Sequence, residues 1–285
     1  MTNPSPTLAR RLWEAVEPIH AVAYFAAEPA AAAKAIGLPS WWMGYFTGRV
    51  APLGALGPAA ATAVVFGFAP GMVARFLPAA WTFTTPETAL DARIDSVGAT
   101  LRRTLPPSTD LDRLAELLDR AVRGCGFAGR PLAAAWSAVR PPEDALSRIW
   151  LAATVLREHR GDGHVLAAVH AGLAGIDATL THVATGAVTR ELLQINRGWT
   201  DEDWEQSRRG LVARGLLDRT NRLTKTGGAL RRQIEEDTDR LAAGPVAALG
   251  ESGVHEVIQL ATPLSRHLVD SGVVPVPNPI GAPRP

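Results

Sequence analysis

Apolar residues recur at helical spacing along most of this chain. From residue 6 to 33, Leu8, Leu12, Ala15, Val16, Ile19 and Val22 share one face, which predicts one helix kinked at Pro18 and Pro29. Residues 40–50 form a short aromatic segment with Trp41, Trp42, Met43, Tyr45 and Phe46, and residues 52–58 a turn. Residues 59–76 are apolar, interrupted by Gly67, Pro70 and Gly71. Thr85-Pro86-Glu87 reads as a helix start running to about Leu105, and 109–124 as another helix. Pro141-Pro142, with Glu143-Asp144 at its positive end, opens a helical stretch reaching Gly186. Helices at 189–196 and 200–214 follow, the second starting at Thr200 with Asp203 completing a capping pattern. Residues 216–224 read as two short strands around a turn, and a last long helix begins near Thr226. From Val273 five prolines predict an extended tail that is partner-bound or mobile.

The expected fold is mostly α, with two tandem helix-plus-winged-helix units and small two-stranded β-wings. Near-constant offsets support the duplication. Val73-Ala74-Arg75 lies 139 positions before Val212-Ala213-Arg214, and Ala89-Leu90 lies 140 before Ala229-Leu230. His20 precedes His159 by 139. The corresponding domains are 1–138, 139–250 and 251–285, the last being a terminal helix and tail.

One segment breaks the apolar pattern. Arg157-Glu158-His159-Arg160-Gly161-Asp162-Gly163-His164 places six ionisable residues between two core-like runs. Burying such charges is costly unless they are paired or bound. The two glycines predict a helix break with Asp162 as N-cap of the next helix. Backbone N–H groups would then lie beside Arg157, Arg160 and His164 as an anion site. In the aromatic segment, Arg49 is a second anion ligand or the partner of a carboxylate. Trp42, Tyr45 and Tyr24 would line a pocket, and His20 would lie near His159.

Composition narrows the chemistry. Across 285 residues, 47% are hydrophobic and the net charge is +1, so a real core is affordable and no global charge points to nucleic acid or membrane. Cys125 is the single cysteine, and His159 and His164 are five apart, a poor metal pair, so neither disulfide nor metal is expected. No signal peptide and no membrane-length apolar run is evident, which points to the cytoplasm. Two lysines among 29 basic residues suggest a G+C-rich genome of the actinobacterial kind. Nucleotide-binding glycine loops and a serine-hydrolase elbow are missing, so no cofactor is expected.

Gly210–Asp218 with Leu223-Thr224-Lys225-Thr226-Gly227 resembles the end of the recognition helix and wing in MarR-type regulators. With the His159–His164 signature and Arg197-Gly198-Trp199, the whole chain resembles an actinobacterial SalK-like helix-turn-helix family. The resemblance implies a winged-helix scaffold. Against DNA stand the carboxylates Asp201, Glu202, Asp203 and Glu205, which would repel phosphate where a recognition helix begins.

The residues point to a cofactor-free enzyme of specialised metabolism, catalysing elimination or intramolecular ring closure, of which aziridine formation is one example. Arg157, Arg160 and His164 would hold an anionic group. Glu158 or Asp162 would be the base, with His159 or His20 assisting. The alternatives are a ligand-responsive regulator and a non-catalytic subunit of a heteromeric complex; a homo- or heterodimer fits any of them.

Overall fold

The computed structural model describes residues 7–107 and 110–285. The expected helix start at residue 109 lies outside them. Thr7 caps α1 (Leu8–Phe25) by accepting from the N–H of Arg10, and the helix continues through Pro18. It ends at the extended Ala26, where α2 (Ala27–Ala35) begins, so Pro29 falls in a first turn that needs no N–H from it. Next come α3 (Trp41–Val50), α4 (Pro58–Val64), α5 (Pro70–Phe76), α6 (Pro86–Thr104), α7 (Leu111–Arg123) and α8 (Pro131–Ser137). Nothing in the hydrophobic pattern predicted α8.

The next helix, α9 (Ala145–His170), starts at Asp144 rather than at the proline pair, with its carboxylate accepting from the N–H groups of Leu146 and Ser147. It is 26 residues long and apolar on nearly every side, so it must be surrounded. Helices α1, α6, α7, α8 and α13 (Lys225–Leu241) pack around it. The predicted break at Gly161-Asp162-Gly163 is absent. Each glycine weakens a helix by about 1 kcal/mol, which packing on all sides overrides. Gly163 serves close approach instead: a Cβ there would stand 3.0 Å from the Arg130 guanidinium.

The chain ends with α10 (Gly175–Val183), α11 (Arg190–Arg197), α12 (Asp201–Ala213), α13 and α14 (Ala243–Asp270). α14 bends at Gly250, whose φ of 68° is open to glycine at little cost.

The two-stranded wings are not present. Among the described residues the only β pairing is an isolated bridge between Leu217 and Leu223. The physical reason is length. Thr224 already caps α13 by accepting from Gly227 N–H, and Asp218 closes the intervening turn by accepting from Thr220 and Arg222, so no residues remain for a ladder.

Three cores result. The central one joins α1, α6, α7, α9 and α14. An aromatic one joins the end of α1 to α3, α4 and α5. The third lies under α10, α12 and α13. The tail is docked on its own chain rather than free. Val274, Asn278 and Ala282 are buried, and Asn278 closes a loop by donating to the carbonyls of Pro275 and Ala282. Ile280 packs against both the central and the aromatic core.

Candidate functional site

Because α9 is unbroken, a turn of about 100° per residue separates the side chains of the 157–164 segment. They do not converge. Arg157 and Glu158 reach toward α1 and α3, Arg160 and His164 toward α13, and Asp162 toward α8. Asp162 is not an N-cap of its own helix. Its carboxylate accepts from Ala133 N–H and so caps α8 from outside. Burial raises its pKa to about 6, which the Ala133 bond only partly offsets. Arg160 pairs with Asp239 at 2.7 Å and lies over the Trp13 ring. His164 Nδ1 faces Thr238 Oγ1, and His159 packs edge-on against Phe127. Burial lowers both histidines to about 4, so they are neutral near pH 7.

A second group of predicted residues does come together. Arg49 on α3 donates to both Glu158 oxygens, Nε to Oε1 and Nη2 to Oε2, each at 3.1 Å. Arg157 Nη1 adds a third bond to Oε2 at 2.9 Å. Arg49 is therefore a carboxylate's partner. Burial alone would raise the Glu158 pKa, but Arg157 and Arg49 outweigh it and hold the carboxyl well below its usual range. A carboxylate so clamped is a poor proton acceptor, which removes the physical basis for Glu158 as the base.

Arg49 also donates through Nη1 to Tyr45 Oη at 3.1 Å. Burial would raise the Tyr45 phenol, yet Arg49 and Arg197 bring it below its ordinary value. His20 bridges the two halves: Nδ1 meets Thr154 Oγ1 on α9 at 2.9 Å and Nε2 meets Tyr24 Oη at 3.1 Å. Burial, then Arg157, keeps it neutral. Trp42 packs among Phe46 and Phe68, and Trp41 rather than Trp42 borders the neighbouring cleft.

Three contributors were missed in the sequence. Glu17 is fully buried on α1, accepts from Trp13 Nε1 at 2.8 Å and lies 3.5 Å from Arg157; burial pushes its pKa up to about 7. The Trp13/Glu17 spacing of four inside an apolar face was the available signal. Arg197, at the end of α11, stacks over Phe68 and donates to the Pro279 carbonyl. Its Arg197-Gly198-Trp199 motif seats the C-terminal unit: Ala69 N–H donates to the Arg197 carbonyl and Trp199 Nε1 to that of Gly67. Arg93 on α6 is buried, lies over the Tyr24 ring and lines a cleft with about 40 Å³ of free volume.

Arginines 49, 93, 157 and 197 thus surround only two carboxylates, Glu158 and Glu17. No group of His, Cys, Asp and Glu among the described residues has the arrangement of a metal site, and no helix is long and apolar enough to cross a membrane. Between α11 and α12, Arg190 is paired with Asp201 and Glu205, and Arg208 is paired with Glu205. The acids in the first turn of α12, Asp201, Glu202 and Asp203, lie exposed or nearly so.

A model of a helix-turn-helix family matches residues 9–275. No curated protein and no solved structure matches the chain.

Proposed function

The chain belongs to this helix-turn-helix family, and from that premise we propose that it is a cofactor-free small-molecule enzyme of specialised metabolism rather than a DNA reader. The observation that carries the reading is the excess of arginine around Tyr45 and the adjoining cleft. Such a site favours an anionic substrate or leaving group, because fixed guanidinia stabilise developing negative charge without reorganising. The reaction that fits is an elimination or a ring closure: an internal nucleophile attacks carbon, the carbon–leaving-group bond breaks, and the anion departs toward the arginines. The group placed to take the displaced proton is Tyr45 Oη, whose acidity Arg49 and Arg197 increase, since Glu158 is locked between two arginines.

The same reading treats the chain as two copies of one unit. In support, α6 and α13 begin after the capping threonines Thr85 and Thr224, 139 positions apart. The packing of α1 on α14 is mirrored by that of α9 on α7. A cleft beside such a junction is a common place for a ligand.

The family description also suits a ligand-responsive, MarR-like regulator, and the SalK-like resemblance permits either. The acidic start of α12 favours the enzyme. Two measurements decide: thermal unfolding with phosphate, sulfate and small organic anions, and binding of duplex DNA and heparin at low salt. Stabilisation by small anions, diminished in Tyr45→Phe and without DNA retention, supports the proposal. Tight duplex binding with no response to anions overturns it.

A further inference from the structure

We infer that the cleft between α2, α3 and α6 binds a monocarboxylic acid with an apolar body, its carboxylate held by the Nε/Nη2 edge of Arg93. This rests on the small-anion reading and names the ligand class.

Arg93 is 7% exposed, and its Nε and Nη2 are both buried without a hydrogen-bond partner. It makes no ion pair among the described residues; its guanidinium carbon lies 5.1 Å from the Tyr24 ring centroid. The nearest compensating carboxylate, Glu158, is fully occupied by Arg49 and Arg157. A buried cation left in this state is costly, and a bound anion removes the cost.

The free edge says which anion. Nε and Nη2 present two parallel N–H bonds that match the two oxygens of a carboxylate. The chain itself uses that edge for this purpose in four pairs among the described residues: Arg10 on Asp239, Arg49 on Glu158, Arg113 on Glu256 and Arg284 on Asp270. At Arg93 neither nitrogen of this edge meets an acceptor among the described residues. Arg93 is also the only cation lining the cleft, which suits one negative charge rather than the two of a phosphate monoester. Apart from Tyr45, the remaining wall is apolar, including Ala23, Ala33, Ile36, Leu38 and Trp41, and fits a hydrocarbon or aromatic body. Gly48 makes room for the guanidinium, since a Cβ there would stand 2.8 Å from Arg93 Nη1.

The test is thermal unfolding of the full chain with benzoate, phenylacetate and hexanoate, each against its primary amide, and with inorganic phosphate. Wild type, Arg93→Met and Arg93→Lys are compared. The expected result is a midpoint that rises with carboxylate concentration and not with amide. The rise is lost in Arg93→Met and reduced at least tenfold in apparent affinity in Arg93→Lys, which keeps the charge and loses the edge. Without ligand, Arg93→Met melts at or above the wild-type temperature, since it removes an unpaired buried charge. Equal response to acid and amide, or a carboxylate response that survives Arg93→Met, overturns the inference. A response to phosphate alone overturns it while leaving the small-anion reading standing; no response to any anion overturns both.

Discussion

Glu158 illustrates how a buried charge is tolerated at the level of one residue. Three arginine bonds hold its two oxygens, so its loss strands two guanidinia in the interior. Removing one partner from such a cluster costs about 3–5 kcal/mol. Glu158→Ala is therefore expected to lower the urea midpoint strongly, and a midpoint near wild type would show that the cluster is hydrated. Glu17 behaves oppositely. Its pKa is raised from 4.5 to about 7, so the folded chain binds a proton that the unfolded chain releases. This favours folding fully below pH 4.5, and the benefit is lost as pH rises toward 7, about 3 kcal/mol in all. Arg157, Trp13 and the neighbouring Glu158 are the groups that face it. Glu17→Gln should raise the melting temperature at pH 8 and leave it nearly unchanged at pH 4.5; equal effects at both would refute the shift. Arg49 was legible in the sequence because an arginine inside an aromatic run needs a partner. Arg93 was not: Asp91 and Asp95 beside it make it read as one more surface charge, and only the fold turns it inward with Ala89 and Val97.

Among elements, α9 teaches the most. Gly161 and Gly163, just before His164, read locally as punctuation, yet five helices packed around α9 keep it continuous. Local propensity amounts to about 1 kcal/mol per glycine, and burial of a 26-residue helix exceeds it. The short α8 was hidden for the reverse reason. Seven residues give too little periodicity, and the helix depends on Asp162 to cap it from α9. Asp162→Ala should cost about 1–2 kcal/mol in denaturant unfolding without changing anion binding. Loss of anion binding at unchanged stability would return Asp162 to the site. The join between units is equally specific. A Cβ on Gly175 would overlap the Phe66 carbonyl, so Gly175→Ala should separate α10 from the loop before α5 and expose the Trp199 indole. Unchanged tryptophan emission would contradict this.

At the scale of the whole molecule, the helical character of the long segments was readable, because helical periodicity is set by each segment alone; the helix count was not, since the single helix expected over 6–33 is α1 and α2, and α8 left no pattern. The missing wing and the docked tail were not, since both depend on what lies nearby: a helix that starts too soon after Leu223, and an apolar seat for Val274 and Ala282. The tail supports Arg197 through the Pro279 carbonyl. Truncation after Ser271 should therefore weaken anion binding as well as stability, and intact binding in a stable truncated chain would separate the tail from the site. The surface charge argues the same way as the site. With net charge +1 and Arg190 and Arg208 paired to carboxylates of α12, heparin retention is expected to be weak at physiological salt.

The pairing of α1 with α14 has a consequence for how the chain is made. The first helix to leave the ribosome finds its main partner more than two hundred residues later. At roughly 5–20 residues per second, that is a wait of about 12–50 s. Throughout it, α1 has mainly α6 and then α9 to pack on, and lacks the larger part of its native cover, so the nascent chain should depend on chaperones until translation is nearly complete.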